Sequence, residues 1–299
     1  MSFANSITLA ERYIPRLDAV YKQSSRSAIL DNPNVEFIGG NAVKVYKTSM
    51  DGLADYNRNS GFVGGAVNGS WETLTLSQDR GRGFQIDRMD NEETLDMAFG
   101  TLAGEFMRTK VVPETDAVRF AQYAQNAAAA NQDTESLSTS AQVIASIDDA
   151  VAALDDAEVP YEGRILFVNP TSYKLLKGGI TRYTMNGENG IDYNVEMYND
   201  MRVITVPSAR FNTEITLGQP SAHDGAGGYT ASGSTINYMI IHPTAILQVN
   251  RLAEPRIFSP AVFQEASAWA YDFRQMHGAW VKHQKSNGIY VSAASFPST

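Results

Sequence analysis

The sequence predicts an α+β fold, on the evidence of three kinds of segment. Apolar and polar residues alternate between residues 34 and 89, as in strands with one buried face. Apolar residues at helical spacing follow in segments 90–106 and 143–154. Short apolar runs in the second half, RILFV and MRVITV, indicate buried strands. Because helices and two glycine-rich segments separate these strands, they must pair over long distances, which is typical of the α+β class.

The composition argues against several classes of function. The chain has 299 residues, of which 43% are hydrophobic and 19% charged, so we expect a folded protein with a sizeable core. Its 24 basic and 33 acidic residues give a net charge of −9, which argues against a groove that grips nucleic acid. The lack of cysteine excludes disulfides and thiolate zinc sites. Without a signal peptide or an apolar run of roughly 18 residues, we expect synthesis inside the cell and no membrane contact.

The first thirty residues predict either a surface helix or an arm that packs on something else. Their apolar positions follow a drifting helical stripe, which Pro15 interrupts. Four basic residues stand against two acidic ones in this segment. The two interpretations are equally open.

Residues 34–89 predict β structure with a protruding β-hairpin. NAVKVYKTSM alternates, and the following segment, 51–70, is rich in glycine and asparagine and offers little apolar surface. WETLTLSQ and GFQIDRM are then two predicted strands, joined by a turn at residues 80–83. Neither face is apolar enough for a deep core, and a two-stranded ribbon is marginal alone in water. The hairpin therefore needs a partner.

The segment after the hairpin predicts the clearest helix of the chain. Asp90 is the predicted N-cap and Glu93 its capping-box partner. Further acids in the first turns interact favourably with the helix dipole, and each stabilises the helix by roughly 0.3–1 kcal/mol. Pro113 is predicted to interrupt this helix, and a second helix is predicted over about 114–130. The apolar stripe consists of Leu95, Ala98, Phe99, Leu102 and Phe106.

The second half predicts further strands and one long loop. INYMIIH and AILQVN have strand patterns, two or three strands lie between residues 269 and 292, and residues 218–233 form a glycine-rich loop. Aromatic residues in the last strands could stack on bases, but a sheet face packed against a helix is favoured. These aromatic residues are Trp269, Tyr271, Phe273 and Trp280.

The acids of segment 87–96 are the main candidates for chemistry. Paired carboxylates could perform acid–base catalysis or bind a divalent metal, as in a monomeric α+β enzyme. Helix capping and ion pairs with nearby arginines explain the same acids structurally, and this interpretation is favoured. The four histidines lack metal-ligand spacing, and neither a nucleophile elbow nor a phosphate-binding glycine loop occurs. We therefore predict no enzymatic activity, no cofactor and no metal.

Three parts of the chain, taken in order, carry a resemblance to a known family. They are WETLTLSQDRGRGFQIDRMDNEET, RILFVNPTSYKLL, and IHPTAILQVNRLAEPRIFSP followed by DFRQMHGAWVKHQKSNGIYV. Together they resemble the major capsid proteins of tailed bacteriophages, with their Hong Kong 97-type capsid fold. The first part looks like the returning half of that family's extended loop where it enters the spine helix. The second is similar to a strand and helix of the axial domain, and the third to strands of the peripheral domain.

This resemblance implies five segments. They are an N-terminal arm (1–34), an extended β-hairpin loop (35–90), the spine helix with the first part of the peripheral domain (91–134), an axial domain (135–240) and the last peripheral strands (241–299).

The resemblance also implies a structural role without cofactors. Copies of the chain would assemble as pentamers and hexamers into an icosahedral-type shell that encloses double-stranded DNA without reading its sequence. A separate scaffolding protein, a portal and decoration proteins are implied partners, and the implied location is the virion capsid, assembled in the cytoplasm of the host bacterium. An encapsulin-like cellular compartment shell remains an alternative, and the carboxylate–metal enzyme is a less favoured one.

Finally, the resemblance implies which residues join one subunit to another. The contacts would lie in the extended loop and at its junction with the helix: Trp71, Leu74, Leu76, Arg80, Arg82, Phe84, Asp87, Arg88, Asp90 and Glu93. The hinges of the loop would be Gly61, Gly64, Gly65 and Gly69.

Overall fold

The computed structural model describes residues 24–31, 42–59, 61–93, 97–179, 195–219, 225–263 and 266–297, with the side chains of 97–100 left out. The predictions for the apolar stripe of the arm, for Leu95 and for His223 lie outside these residues.

Within the described residues, five α-helices and thirteen strands follow in chain order. The helices are α1 (Arg88–Glu93), α2 (Met97–Phe106), α3 (Val112–Asn126), α4 (Ser140–Asp156) and α5 (Pro170–Gly179). The strands are β1 (Ala42–Met50), β2 (Val67–Thr75), β3 (Gln78–Asp87), β4 (Gln132–Thr134), β5 (Ile165–Val168), β6 (Met197–Tyr198), β7 (Met201–Thr205), β8 (Ile215–Gly218), β9 (Gly228–Ala231), β10 (Ile236–Ile241), β11 (Ile246–Phe258), β12 (Ala268–Val281) and β13 (Ile289–Ala293).

A two-stranded antiparallel ribbon is present, but its strands are β1 and β2, with Val43 opposite Leu74 and Tyr46 opposite Trp71. The predicted hairpin between WETLTLSQ and GFQIDRM is therefore wrong. Residues 80–83, predicted as its turn, lie inside β3, which pairs with β12. The alternating pattern identified strands here but could not identify their partners, because β3 and β12 are almost 200 positions apart in the sequence.

The long helical region runs through the proline that was predicted to end it. Between α2 and α3 the chain forms a π-helical turn, Met107–Val111, and Pro113 lies in the first turn of α3. The wider turn gives the proline ring room where a regular helix would place a clashing carbonyl, so the helix continues. Within the described residues, no helix has both the length and the apolar composition to span a membrane.

The start of the helical region also differs from the prediction. Because α1 begins at Arg88, Asp90 lies inside the first turn rather than at the N-cap. The side chain of Asp87 instead accepts a hydrogen bond from the backbone N–H of Met89, at 2.8 Å. The predicted capping box of Asp90 and Glu93 is therefore wrong. The residue with the capping role is Asp87, three positions earlier.

The core lies on both faces of a six-stranded sheet with the order β4-β13-β10-β5-β7-β6. Successive residues of β5 point to opposite faces, so Phe167 packs towards α3 and Leu166 towards α4. Both faces are covered, which explains why RILFV is an unbroken apolar run. The glycine-rich segment predicted as a loop over 218–233 is only partly a loop, because β9 lies within it and pairs with β8.

A second sheet, of order β11-β12-β3, joins the ribbon to the helices. Tyr271 and Phe273 of β12 lie 6.3 and 6.0 Å, between ring centroids, from Phe106 of α2. These two aromatic residues thus form a sheet face packed against a helix, as favoured from the sequence.

The two sheets combine strands from different predicted segments. Strand β13, from the predicted 241–299 segment, pairs in the six-stranded sheet, and β3, from the predicted 35–90 loop, pairs in the three-stranded one. The predicted domain bounds cut across both sheets and stay a proposal.

Candidate assembly interface

The far end of the ribbon exposes large apolar side chains. We call residues 51–59 and 61–66, which connect β1 to β2, the ribbon tip. Leu53 is fully exposed and Phe62 is 91% exposed. The rings of Tyr56 and Phe62 meet edge to face, with centroids 4.9 Å apart, yet both remain open to solvent. Apolar groups of this size in water are typical of a surface that another molecule covers.

Backbone contacts shape the tip. Asn57 and Gly61 form an isolated bridge, and Gly61 has a positive φ of 81°, which favours glycine. Asp51 accepts a hydrogen bond from the backbone of Ala66, at 2.7 Å. Gly64 has open space around its Cα. The hinge roles predicted for Gly61, Gly64 and Gly65 stay predictions.

The middle of the ribbon carries an aromatic pair and a glycine that fits against it. Trp71 is 61% exposed, and its ring lies 5.0 Å, centroid to centroid, from that of Tyr46. Gly69 lies inside β2, where a Cβ would overlap the hydroxyl of Tyr46. This close approach explains the glycine without a hinge. Trp71 remains accessible to a neighbouring molecule.

The base of the ribbon, in contrast, is buried within its own chain. Leu74 and Val43 form a cluster with Leu247 and Val249 of β11. Leu76 is also buried, at 5% exposure. The sequence predicted that the hairpin needs a partner molecule. For the base of the ribbon this is wrong, because its side chains pack within their own chain. Contacts of Leu74 and Leu76 with another subunit stay a prediction, and the contacts within the chain already explain both residues.

Arg80 joins three elements at the start of β3. Its Nε lies 2.7 Å from a carboxylate oxygen of Glu114 on α3. The same guanidinium donates to the carbonyls of Gly218 and Gly228 in the β8–β9 hairpin, at 3.0 and 3.3 Å. Arg82 donates to the carbonyl of Gly225, at 2.9 Å. These contacts hold the hairpin against the helical region of the same molecule.

The predicted helix junction is also satisfied locally. Phe84 packs on Phe106, with ring centroids 4.9 Å apart. Arg88 forms an exposed ion pair with Glu92, at 2.9 Å. Asp90 is half-buried and Glu93 is exposed. In the part of the chain that the structure describes, which leaves out Asp96, no group of three metal-ligating side chains could hold a metal ion.

A groove of about 890 Å³ lies beside the base of the ribbon, between β3, the helical region and the β8–β9 hairpin. Its lining includes Leu102, Phe106, Val111, Leu217 and Phe273. His277 also lines it; burial, aided by the charges of Arg119 and Arg80, lowers the pKa of this imidazole to about 4. The groove thus mixes apolar lining residues with polar and charged ones, and it contains a neutral histidine.

A buried ionic cluster that was not predicted from the sequence holds residues 25–27 against α3. Asp116 of α3 is fully buried and accepts hydrogen bonds from the hydroxyls of Ser25 and Ser27, both at 2.7 Å. It also pairs with Arg210, which is 3% exposed, at 3.1 Å. Arg119, one turn further along α3, donates to the Ser27 hydroxyl at 2.9 Å. The signal was an acid and an arginine three positions apart in an otherwise apolar stretch of helix.

The exposed apolar residues of the tip were also not predicted from the sequence. Segment 51–70 was predicted to be poor in apolar surface, although four large apolar side chains occur between the glycines and asparagines of residues 51–66. They are Leu53, Tyr56, Phe62 and Val63. Their presence in a loop that cannot bury them was the available signal.

Comparisons with known proteins gave structural matches alone: no family model and no curated protein matches the chain. The capsid of cyanophage P-SCSP1u aligns with a TM-score of 0.71 and 10% identity, over 96% of this chain and 93% of the other. The mature capsid of bacteriophage PhiM1 aligns with a TM-score of 0.70 and 12% identity, over 95% and 91%. The chain has the fold of phage capsid proteins. A structure from Mycobacterium phage Che8 covers 98% of this chain and 100% of its own, with a TM-score of 0.64 and 16% identity.

These matches confirm the predicted fold resemblance and its α+β class. Coverage above nine-tenths in both directions means that the ribbon, the helical region and both sheets belong to one shared architecture. The resemblance noted in the sequence therefore reflects the whole fold and not one short motif.

Proposed function

We propose that this protein is the structural subunit of a phage head, which assembles with many copies of itself into a closed icosahedral-type shell around double-stranded DNA. One observation carries the proposal: a chain with a phage capsid fold extends a ribbon whose tip leaves large apolar side chains in water. A second copy offers the surface that can cover them. The net charge of −9 suits a wall that contains DNA without binding it tightly.

The alternatives have less support. The solved structures named above come from phages, which favours a virion over a cellular compartment. Asp87 caps α1 and Glu92 pairs with Arg88, which favours the structural interpretation of these acids over a catalytic metal. A scaffolding protein, a portal, decoration proteins and assembly in the bacterial cytoplasm complete the proposal as its expected context.

The purified chain tests this proposal directly. Size-exclusion chromatography should place it in the void volume, and negative-stain microscopy should show closed particles. The double variant Leu53→Ser/Phe62→Ser should lose the particles while its unfolding free energy stays within about 0.5 kcal/mol, because both side chains are exposed in the subunit. The variant Phe62→Leu, which keeps an apolar side chain at the tip, is the matched control and should retain them. A wild-type chain that stays monomeric at high concentration, both alone and when produced together with its scaffolding protein, would refute the proposal.

A further inference from the structure

One end of the six-stranded sheet carries a basic surface that lies outside both the ribbon and the groove. At this end β10 finishes and β13 begins, with Ile241 opposite Ile289. Two 3-10 turns, Pro243–Ala245 and His283–Gly288, lie beside each other just beyond these strands. We call residues 242–245 and 282–288 the basic end.

Two lysines of the basic end lie close together. Lys285 is exposed, and the half-buried Lys282 donates from its ammonium group to the carbonyl of Thr244, at 3.0 Å. Burial and the charge of Lys285 both lower the pKa of Lys282. Among the residues that the structure describes, neither lysine forms an ion pair with a carboxylate. The fold therefore holds two like charges together without an acid between them.

The residues beneath this surface do not offset the two charges. Burial lowers the pKa of His242, and the charges of Arg164 and Lys285 lower it further. Glu162 contacts the ring of His242 through its backbone carbonyl, at 3.2 Å, and not through its carboxylate. Arg164 itself is paired with Asp155, at 2.6 Å. The net positive charge of the basic end thus comes from the two lysines.

We propose that the basic end contacts the phosphate backbone of double-stranded DNA. This inference rests on the proposed function and names the surface of the subunit that meets the enclosed DNA. Besides the two lysines, the exposed side chains of Thr244, Gln284 and Asn287 supply hydrogen-bond donors of the kind that contact phosphate oxygens. Such contacts carry no sequence information, as packaging of a whole genome requires.

The make-up of this surface favours DNA over an acidic protein. None of the exposed large apolar side chains found in the described residues lies within 242–245 or 282–288. The buried centre of a protein interface is apolar and aromatic, whereas phosphates need only charge and hydrogen-bond donors. A second copy, with Asp148 and Asp155 exposed on α4, is the competing partner.

Two lysines in each subunit make a weak contact, in keeping with a chain of net charge −9. Non-specific binding to DNA typically has a Kd of about 10⁻⁴–10⁻⁶ M at physiological salt, so we expect a single subunit to bind only at low salt. A shell presents the basic ends of many copies together, and their weak contacts add up.

Binding of a short fluorescent DNA duplex to unassembled subunits tests the inference. Fluorescence anisotropy gives the binding constant at several salt concentrations. The variant Lys282→Gln/Lys285→Gln should reduce the slope of log K against log salt by about two, because each lost phosphate contact reduces it by about one. The matched control, Lys174→Gln/Lys177→Gln, removes two lysines at the same spacing from α5 and should keep the wild-type slope.

Two single variants guard against local unfolding around the half-buried Lys282. Lys285 is exposed, so Lys285→Gln leaves the packing intact and should reduce the slope by about one. Lys285→Arg keeps the charge and should keep the slope. A slope that falls equally in the α5 control, or that does not change in any variant, would overturn the inference.

The remaining outcomes separate the inference from the proposed function. Absence of duplex binding by the wild-type subunit at low salt would overturn the DNA contact and leave the shell proposal standing. Variants of the basic end that bind DNA normally but form no particles would assign this surface to a contact between copies, which also overturns the inference. Failure of the wild-type chain to form particles, even with its scaffolding protein, would refute the shell proposal instead.

Discussion

Replacement of Asp116 tests whether the buried cluster fixes the end of the arm to α3. The carboxylate accepts hydrogen bonds from the hydroxyls of Ser25 and Ser27 and from the backbone N–H groups of Arg26 and Ser27, at 2.7 to 3.2 Å. It also faces Arg210, which lies in the turn after β7. One side chain therefore joins residues 25–27, the helical region and the turn that follows β7.

The expected cost of Asp116→Ala follows from what is left behind. Arg210 is 3% exposed, and its charge would lose the carboxylate that compensates it. Removal of one partner of a buried ion pair costs about 3–5 kcal/mol, because the other charge stays buried. Asp116→Asn keeps the size and one acceptor oxygen, so we expect a smaller loss. Asp156→Ala, at an exposed position near the end of α4, is the control and should change stability by less than about 0.5 kcal/mol.

Two measurements on the unassembled subunit check this prediction. Urea unfolding should show the loss in free energy for Asp116→Ala. Limited trypsin digestion should cleave after Arg26 much faster in that variant, because this residue's backbone N–H bonds to Asp116 in the wild type. A loss below about 1 kcal/mol with unchanged protection of Arg26 would refute the view that the carboxylate holds the arm.

Three further predictions concern the core and the groove. Burial lowers the pKa of His277 to about 4 from an ordinary 6.5, so the unfolded state binds more protons than the folded state between these pH values. The free energy of unfolding should therefore fall by up to about 3 kcal/mol as the pH drops from 6.5 to 4. The variant His277→Gln should flatten this dependence in urea titrations at several pH values. Phe167→Ala should lower the free energy of unfolding in urea by about 3–5 kcal/mol, because this ring of β5 is fully buried against α3. A decrease of less than about 1 kcal/mol would contradict that packing. Arg80→Ala should cost about 1–3 kcal/mol and speed hydrogen exchange in the β8–β9 hairpin, whereas Arg256→Ala, in an exposed ion pair, should do neither.

Elements with a strong local signal could be predicted from the sequence. RILFV forms β5, and the amphipathic segment 143–154 lies inside α4. The start of α4 also carried a readable signal, since Thr139 and Gln142 form a capping box. In these segments the apolar spacing and the capping residues are all local, so a sequence pattern contains the information.

Pairing and helix continuity could not be predicted in the same way. β1 pairs with β2 across a 16-residue connection, and β3 pairs with a strand from the far end of the chain. An alternating pattern shows which residues share a face but not which strand lies beside them. At Pro113 the π-helical turn lets the helix continue, and no local rule for proline indicates that outcome. For the candidate interface, the residues implied by the family resemblance stay a prediction, and only the structure separates the buried base of the ribbon from its exposed tip.

This separation between base and tip bears on how strongly two copies associate. The tip and the adjoining ends of the ribbon expose six large apolar side chains: Met50, Leu53, Tyr56, Phe62, Val63 and Val67. At about 1.5–3 kcal/mol for each fully buried side chain, docking gains on the order of 10 kcal/mol. Association costs about 4–15 kcal/mol in lost translational and rotational freedom, so the net free energy of a single tip contact is close to zero. If the chain builds a shell, as proposed, each subunit must make several contacts at once, and early assembly intermediates should dissociate readily until the shell closes.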